Sequence, residues 1–308
     1  MSFLKTKSKS HRIAIIAVMT IIIFVAVDLI VSAFMMHGID KYYGLDRKSE
    51  ILLIGHSHLM LATDKARMEK ELGVPVSKYC REGVTVSDRL TMVRHFLDNG
   101  NADSLRCVLY GVDLYSFTGE GLSANSYKLF YPFLDNPDVD KYVKEEANAS
   151  DYWLHKLIRS TRFNDDGLKN SAFRGWFNNW DNMKFNTIDV ESYRKQLAKG
   201  GERSIEMNDT LITQFKQTVK LLTDKGIKVV MVNTPTLDLL NGYQPDKYSR
   251  MIDWFREYAS TDSLIYYWDY NPAFSGNHTI FSDRLHLNSR GQQLITTQLI
   301  SNLRQLNL

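Results

Sequence analysis

The chain has 308 residues, 44% hydrophobic and 24% charged, with 6 Pro, 2 Cys and a formal net charge of +3. That balance excludes a disordered tail protein, a collagen-like fibre and a disulfide-stapled miniprotein. The length suits one domain of roughly 250 residues with an appendage.

The appendage comes first. Residues 13–36 form an apolar run broken only by Asp28. At a rise of about 1.5 Å per residue it spans roughly 36 Å, enough to cross a bilayer with some tilt. Lys5, Lys7, Lys9 and Arg12 precede it without an acid, whereas acids and bases balance over residues 37–50. This bias predicts a cytoplasmic N-terminus (residues 1–12), a transmembrane anchor (13–36) and an external remainder at the plasma or inner membrane. Val31-Ser32-Ala33 offers the rival reading of a cleaved signal peptide, although the run is long for one. Both readings export the rest of the chain. Asp28 predicts a helix–helix contact within the membrane, such as docking to a polytopic partner.

Removing the four tail bases and Asp28 from the total leaves the exported part neutral, so no nucleic-acid footprint remains. Cys80 and Cys107 enter an oxidising compartment where they could pair, but both stand in strand-like runs that favour buried thiols.

A polar linker over 37–49 leads to SEILLIGHSH, a buried strand ending at Gly55. A helix near 64–72, a strand in PVSKYC, a helix near 86–98 ending at Asn99-Gly100, and a strand in SLRCVLYGVD follow. The alternation resumes with a helix at 208–225 capped by Asn208, the strand IKVVMVNTP, a helix near 245–259, the strand SLIYYWDY and a last helix near 289–304. Strands alternating with helices predict a five-stranded parallel sheet in a three-layer α/β/α sandwich over residues 50–308. Between about 115 and 207 the pattern gives way to a mostly helical insertion, with helix signals near 137–146 and 151–161. It holds Trp153, Trp176 and Trp180 and reads as a lid or docking surface, most of its aromatics forming a satellite core.

Three places bear on chemistry. Ser57, in Gly55-His56-Ser57-His58, follows the first strand, where open α/β sheets place ligands; Gly55 is read as allowing a sharp turn. Asp283 and His286 have the i, i+3 spacing that lets a carboxylate orient an imidazole, which can take a serine proton. Gly83, after the second strand, is a candidate backbone oxyanion donor or simply a turn glycine. A metal set drawn from His56, His58, His278, Asp283 and His286 is the competing chemistry.

A serine in a glycine turn after strand one, a glycine after strand two and D-x-x-H before the final helix resemble the SGNH (GDSL-like) hydrolase superfamily. The segment Asp283-Arg284-Leu285-His286-Leu287-Asn288-Ser289-Arg290-Gly291 is the most specific part. The resemblance implies a flavodoxin-like fold, Ser57 as nucleophile, His286 as base, Asp283 as its orienting partner, and an oxyanion region at His58, Gly83 and Asp113. It implies no cofactor and no metal. Two positions depart from the pattern: His56 replaces an Asp, and Gly111-Val112-Asp113-Leu114 replaces Gly-x-Asn-Asp. An ionised Asp113 would repel an oxyanion, so it must point elsewhere, be protonated, or leave the hole to backbone N–H groups.

The single anchor and degenerate third block are similar to envelope acyl-transfer proteins of alginate O-acetylation and of DltD-type teichoic-acid D-alanylation. That similarity implies an esterase or O-acyltransferase acting on cell-envelope glycans through an acyl-Ser57, with a membrane-bound O-acyltransferase as partner. The alternative is a catalytically inactive glycan-binding or accessory protein on the same fold.

Overall fold

The structure is a computed structural model that describes residues 2–119 and 125–306, and the side chains of all of these except residues 2–8 and 101. Lys5 and Lys7 of the tail, and residues 120–124 of the insertion, therefore fall outside the described side chains and residues.

Chain order begins with α1 (Ser2–Tyr43), β1 (Ile51–Gly55), α2 (Ser57–Ala62), α3 (Lys65–Leu72), β2 (Val76–Cys80), α4 (Val86–Phe96) and β3 (Cys107–Val112). The insertion holds a 3-10 helix at Ser126–Phe133, then α5 (Pro137–Glu146), α6 (Ala149–Leu157), a 3-10 helix at Arg159–Phe163, α7 (Asp166–Trp176) and α8 (Val190–Ala198). The sheet is completed through α9 (Asp209–Thr223), β4 (Lys228–Asn233), α10 (Asp238–Asn241), α11 (Pro245–Ala259), β5 (Ile265–Asp269), α12 (Asn271–Phe274) and α13 (Ser289–Gln305).

All five strands are parallel, in the order β2-β1-β3-β4-β5. This is the doubly wound, flavodoxin-like arrangement, which turns back on itself at β1 and β3. Ile51, Leu52, Leu53 and Ile54 are all buried, as both faces of a covered parallel strand must be. Register pairs Gly55 with Cys80, Ile54 with Tyr110 and Val112 with Asn233, so the loops after the strands share one edge.

Local chemistry explains the boundaries. Asn208 Oδ1 accepts from Thr210 N (2.9 Å) and Leu211 N (3.2 Å) to open α9, and Gly226 beyond its end takes a φ of 74°. Thr85 and Asp88 form a reciprocal capping box at the start of α4. The helices α7 and α8 lie in the insertion beyond the two helix signals placed there from sequence.

The N-terminal apolar helix departs from expectation at its C-terminal end. Residues 37–43, assigned to a linker, continue α1, because Ile39, Tyr42 and Tyr43 bury themselves in the domain core. The helix thus has two regimes: every residue from Lys9 to Val27 is exposed, while the stretch from Asp28 onward packs against α7 and the 3-10 helix at Arg159–Phe163. Gly38 and Gly175 make that packing possible. A Cβ on Gly175 would lie 1.9 Å from the Gly38 carbonyl oxygen, and one on Gly38 would lie 2.2 Å from that of Ala172. Lys9–Tyr43 is long and apolar enough to cross a membrane.

Cys80 and Cys107 are free and buried. Cys80 pairs with Gly55 at one end of β1 and Cys107 with Ile51 at the other. Four residues at about 3.3 Å each, with a strand between them, put them beyond disulfide reach. Burial pushes both thiols up to about 12.

Candidate active site

Ser57 is the first residue of α2, directly after β1. A helix's first N–H groups have no carbonyl partner within the helix, so the Ser57 amide is not used by α2. Gly55 has a different duty from the one its sequence suggests. Its φ is not in the left-handed region, and what it supplies is room: a Cβ there would lie 3.2 Å from Leu59 Cβ. Gly111 on β3 is tighter, with 2.9 Å to the same atom. The two glycines let α2 lie down on the ends of β1 and β3, which fixes where Ser57 stands.

Asp283 and His286 are carried on the loop before α13, not on a helical turn. Phe281 and Leu287 close that loop as an antiparallel bridge, and the His286 carbonyl accepts from Ser282 N (2.9 Å) and Ser282 Oγ (3.1 Å). Asn288 then joins loop to helix. Its Oδ1 caps α13 through Arg290 N and Gly291 N, and its Nδ2 donates to Thr279 O at 2.9 Å. Gly291 is required there, since a Cβ would meet Ile280 O at 2.6 Å. The D-R-L-H-L-N-S-R-G run is therefore a single structural device for presenting His286.

The three predicted residues meet. His286 Nε2 is 2.8 Å from Ser57 Oγ, and His286 Nδ1 is 2.9 Å from Asp283 Oδ2. Asp283 Oδ1 also accepts from the backbone N–H of Leu285 and of His286, each at 2.9 Å. Burial would raise the Asp283 carboxyl, but His286, the Leu285 N–H and the Lys184 ammonium outweigh it and hold it below the usual carboxylate range. The His286 imidazole is lowered, chiefly by burial and further by His58 and Lys184, with Asp283 pulling the other way. A neutral imidazole facing a serine hydroxyl and backed by an ionised carboxylate is the arrangement general-base activation needs.

Asp113 is enclosed by two histidines. It is buried, and its Oδ2 lies 2.7 Å from His56 Nε2 and 3.0 Å from His58 Nδ1. Its Oδ1 accepts from Tyr115 N at 2.8 Å and Ser116 Oγ at 3.2 Å. Burial opposes its ionisation, yet the two imidazoles around it hold it well below the usual range. With both oxygens engaged in this way, the ionised Asp113 side chain has no donor to offer an oxyanion. His58 presents its ring edge-on to His286, with centroids 5.3 Å apart. Gly83 sits in the turn after β2 with φ 76°, and Arg81 N donates to Gly55 O at 3.1 Å, tying that turn to the end of β1.

The metal constellation drawn from sequence is not assembled. His278 Nε2 bonds Asp238 Oδ1 at 2.9 Å, and His286 and Asp283 belong to the serine relay. His56, His58 and Asp113 do bring three ligand-type atoms within 4.8 Å of one another. However, His56 Nδ1 accepts the His58 backbone N–H at 3.1 Å, so the proton of the neutral ring belongs on Nε2, against the Asp113 carboxylate. A metal ligand would need that nitrogen bare. Burial takes His56 down to about 4, which keeps the ring in this neutral form.

Sequence reading missed Lys184, whose ammonium lies 3.6 Å from Asp283 Oδ2. It lies on an extended stretch of the insertion that crosses the loop before α13, pinned by Asn182 Nδ2 to Leu61 O (3.0 Å) and Leu287 O (2.8 Å). Nothing in the local pattern around Lys184 signals this. A cleft of about 460 Å³ opens there, lined by Met60, Leu61, Arg81, Glu82, Met183 and Lys184 among others. Arg81 pairs with Asp165, the residue that caps α7, so the insertion forms one wall of the cleft.

No protein-family model matches the chain, and no curated protein matches it. Among solved structures, a candidate acylhydrolase from Bacteroides fragilis is 14% identical, with 82% of this chain and 86% of that chain covered and a TM-score of 0.40. The C-terminal catalytic domain of the Streptococcus pneumoniae peptidoglycan O-acetyltransferase OatA is 12% identical, with 84% and 94% covered and a TM-score of 0.38. A structure described as a platelet activating factor from Streptococcus pneumonia is 13% identical, with 93% and 99% covered and a TM-score of 0.37.

Proposed function

We propose that the chain is a membrane-anchored serine enzyme of the SGNH type. It acts outside the cytoplasm on ester-linked acyl groups of cell-envelope glycans. The observation that carries this reading is the relay from Ser57 Oγ through His286 Nε2 and Nδ1 to the Asp283 carboxylate.

Ser57 Oγ attacks the acyl carbon while its proton passes to His286 Nε2; Asp283 stabilises the imidazolium. The oxyanion is received by the backbone N–H groups of Ser57 and Gly83, since Asp113 is committed to its histidines. His286 returns the proton to the departing alcohol and leaves an acyl-Ser57. A sugar hydroxyl or water, deprotonated by the same imidazole, then takes the acyl group. The cleft beside Lys184 and Met183 is where the acceptor sits in this scheme. A polytopic O-acyltransferase that supplies the acyl group across the membrane is the proposed partner.

The test is labelling of the full-length protein in detergent with a fluorophosphonate probe. Labelling of wild type, absent from Ser57→Ala and His286→Ala, supports the activated serine. A folded wild type that stays unlabelled overturns the stand-alone enzyme and favours a glycan-binding role. With labelling in hand, acetylated glycans with and without free acceptor sugars separate hydrolysis from transfer.

A further inference from the structure

Asp28 is a carboxylate inside an apolar run, and the chain itself supplies what satisfies it. Its Oδ1 accepts from Ser160 N at 2.7 Å and its Oδ2 from Arg159 N at 3.0 Å. The 3-10 corner of the insertion thus engages the carboxylate for which the sequence suggested a contact with a membrane partner.

The depth of that contact matters. Arg12 is the last cation before the run. Starting from Ile13, a hydrocarbon layer of about 30 Å takes up roughly 20 residues of helix and ends near Ser32–Ala33. Asp28 lies about 6 Å below that edge, at 1.5 Å per residue. The backbone that bonds it must reach the same depth. At this level α1 still exposes apolar side chains, Ile30 by 68%.

The residues flanking the corner match that setting. Trp153, Leu154 and Leu157 on α6 are exposed, Leu157 by 74%. On α7, Trp176 stacks on Phe34 at 4.9 Å and donates to the Phe34 carbonyl at 3.0 Å, with the neighbouring Phe173 and Phe177 exposed. A groove of about 780 Å³ runs between α1 and the insertion, with Leu29, Ala33 and Met36 on one wall and Arg159 and Arg162 among the rest. The apolar wall fits an acyl chain, while Arg159 and Arg162 both pair with Asp135 across the groove, each at 3.3 Å.

We infer that the insertion is a membrane-seating element: the corner formed by α6 and the Arg159–Phe163 helix is immersed in the outer leaflet, with phospholipid as its occupant. The patch continues the surface by which α1 meets lipid, and it satisfies Asp28 there. Seated this way, α7 connects the membrane to the site, since Trp176 meets the anchor and Asp165 holds Arg81 beside the Gly83 turn. This inference rests on the reading of α1 as a membrane anchor.

The test uses the full chain in phosphatidylethanolamine–phosphatidylglycerol vesicles, with a nitroxide placed in turn at Ile23→Cys, Leu157→Cys, Phe177→Cys and Lys225→Cys. Cys80 and Cys107 are buried and take no label in the folded protein. Collision with oxygen, favoured in lipid, is compared with collision with a water-soluble nickel chelate. The expected result is oxygen preference at Ile23 and Leu157, a smaller one at Phe177, and nickel preference at Lys225. Nickel preference at Leu157 and Phe177, with Ile23 in lipid, overturns the inference and leaves the anchor intact. Shielding of Leu157 from both reagents also overturns it, in favour of a protein occupant. Nickel preference at Ile23 as well overturns the anchor and the inference together.

Discussion

Leu59 sits so close over Gly111 that a Cβ on the glycine would lie 2.9 Å from the leucine's own Cβ. This contact sets the height of α2 above the sheet, and Ser57 is the first residue of α2. Gly111→Ala is expected to cost about 1–3 kcal/mol in stability from overpacking and to lower serine labelling by shifting the hydroxyl away from His286. Paired with Leu59→Gly, which removes the opposing Cβ, the added loss from Gly111→Ala should shrink, a coupling that a double-mutant cycle reads directly. Additive effects would show that the contact does not position Ser57.

The relay predicts a sharp order among substitutions. Ser57→Ala and His286→Ala should abolish fluorophosphonate labelling. Asp283→Asn should keep the fold and slow ester turnover by about 10³–10⁴-fold, because the amide favours the wrong imidazole tautomer. Retention of turnover in Asp283→Asn would remove the carboxylate from the mechanism.

Lys184 gives the pH dependence its handle. His286 must be neutral to act as base, and burial lowers it, so the acid limb of kcat/KM should lie below the ordinary histidine range. The Lys184 ammonium contributes to that lowering. Lys184→Met should therefore move the acid limb upward in pH, whereas Asp283→Asn should move it downward. A limb that stays put in Lys184→Met would separate the ammonium from the base.

Asp113→Asn restores the residue type of the third block but is expected to restore nothing else. One oxygen of Asp113 faces two imidazoles, and an amide NH₂ there would meet the His56 Nε2–H donor. The variant should lose about 1–3 kcal/mol of stability, the cost of a buried unsatisfied pair, with no gain in esterase rate. Denaturant midpoints and ester turnover measured together check both halves.

The stability that two buried histidines contribute should fall on mild acidification. His56 and His95 are ordinarily near 6.5, and burial takes each to about 4 in the folded chain. Between these values the unfolded state binds more protons at these two sites, so their contribution is full above 6.5 and is lost progressively as pH falls towards 4. His95→Asn should reduce that slope, measured by chemical denaturation from pH 7 to pH 4.

Much of this was legible in the chain. Each strand was a short apolar run bounded by a glycine, a proline or a polar turn, and burial on both faces of a parallel sheet imposes that pattern on any sequence. Ser57, Asp283 and His286 were legible because their spacing relative to β1 and α13 is local. Their meeting follows once the strands are in one sheet.

What local pattern cannot encode is a contact between distant segments. Gly55 looked like a turn residue and turned out to be a gap for Leu59; Asp113 looked like an oxyanion problem and is a buried partner of two histidines. Lys184 reaches Asp283 from an irregular segment of the insertion, and Asp28 finds its donors at Arg159 and Ser160. The sequence by itself determined the elements, their alternation and the residue types of the relay, because propensity and periodicity act over a few neighbours. The tertiary structure alone decided what surrounds Asp113, which lysine stands behind His286, and how the insertion grips α1. Those outcomes depend on packing between surfaces that are far apart in the chain and meet only when the sheet has formed.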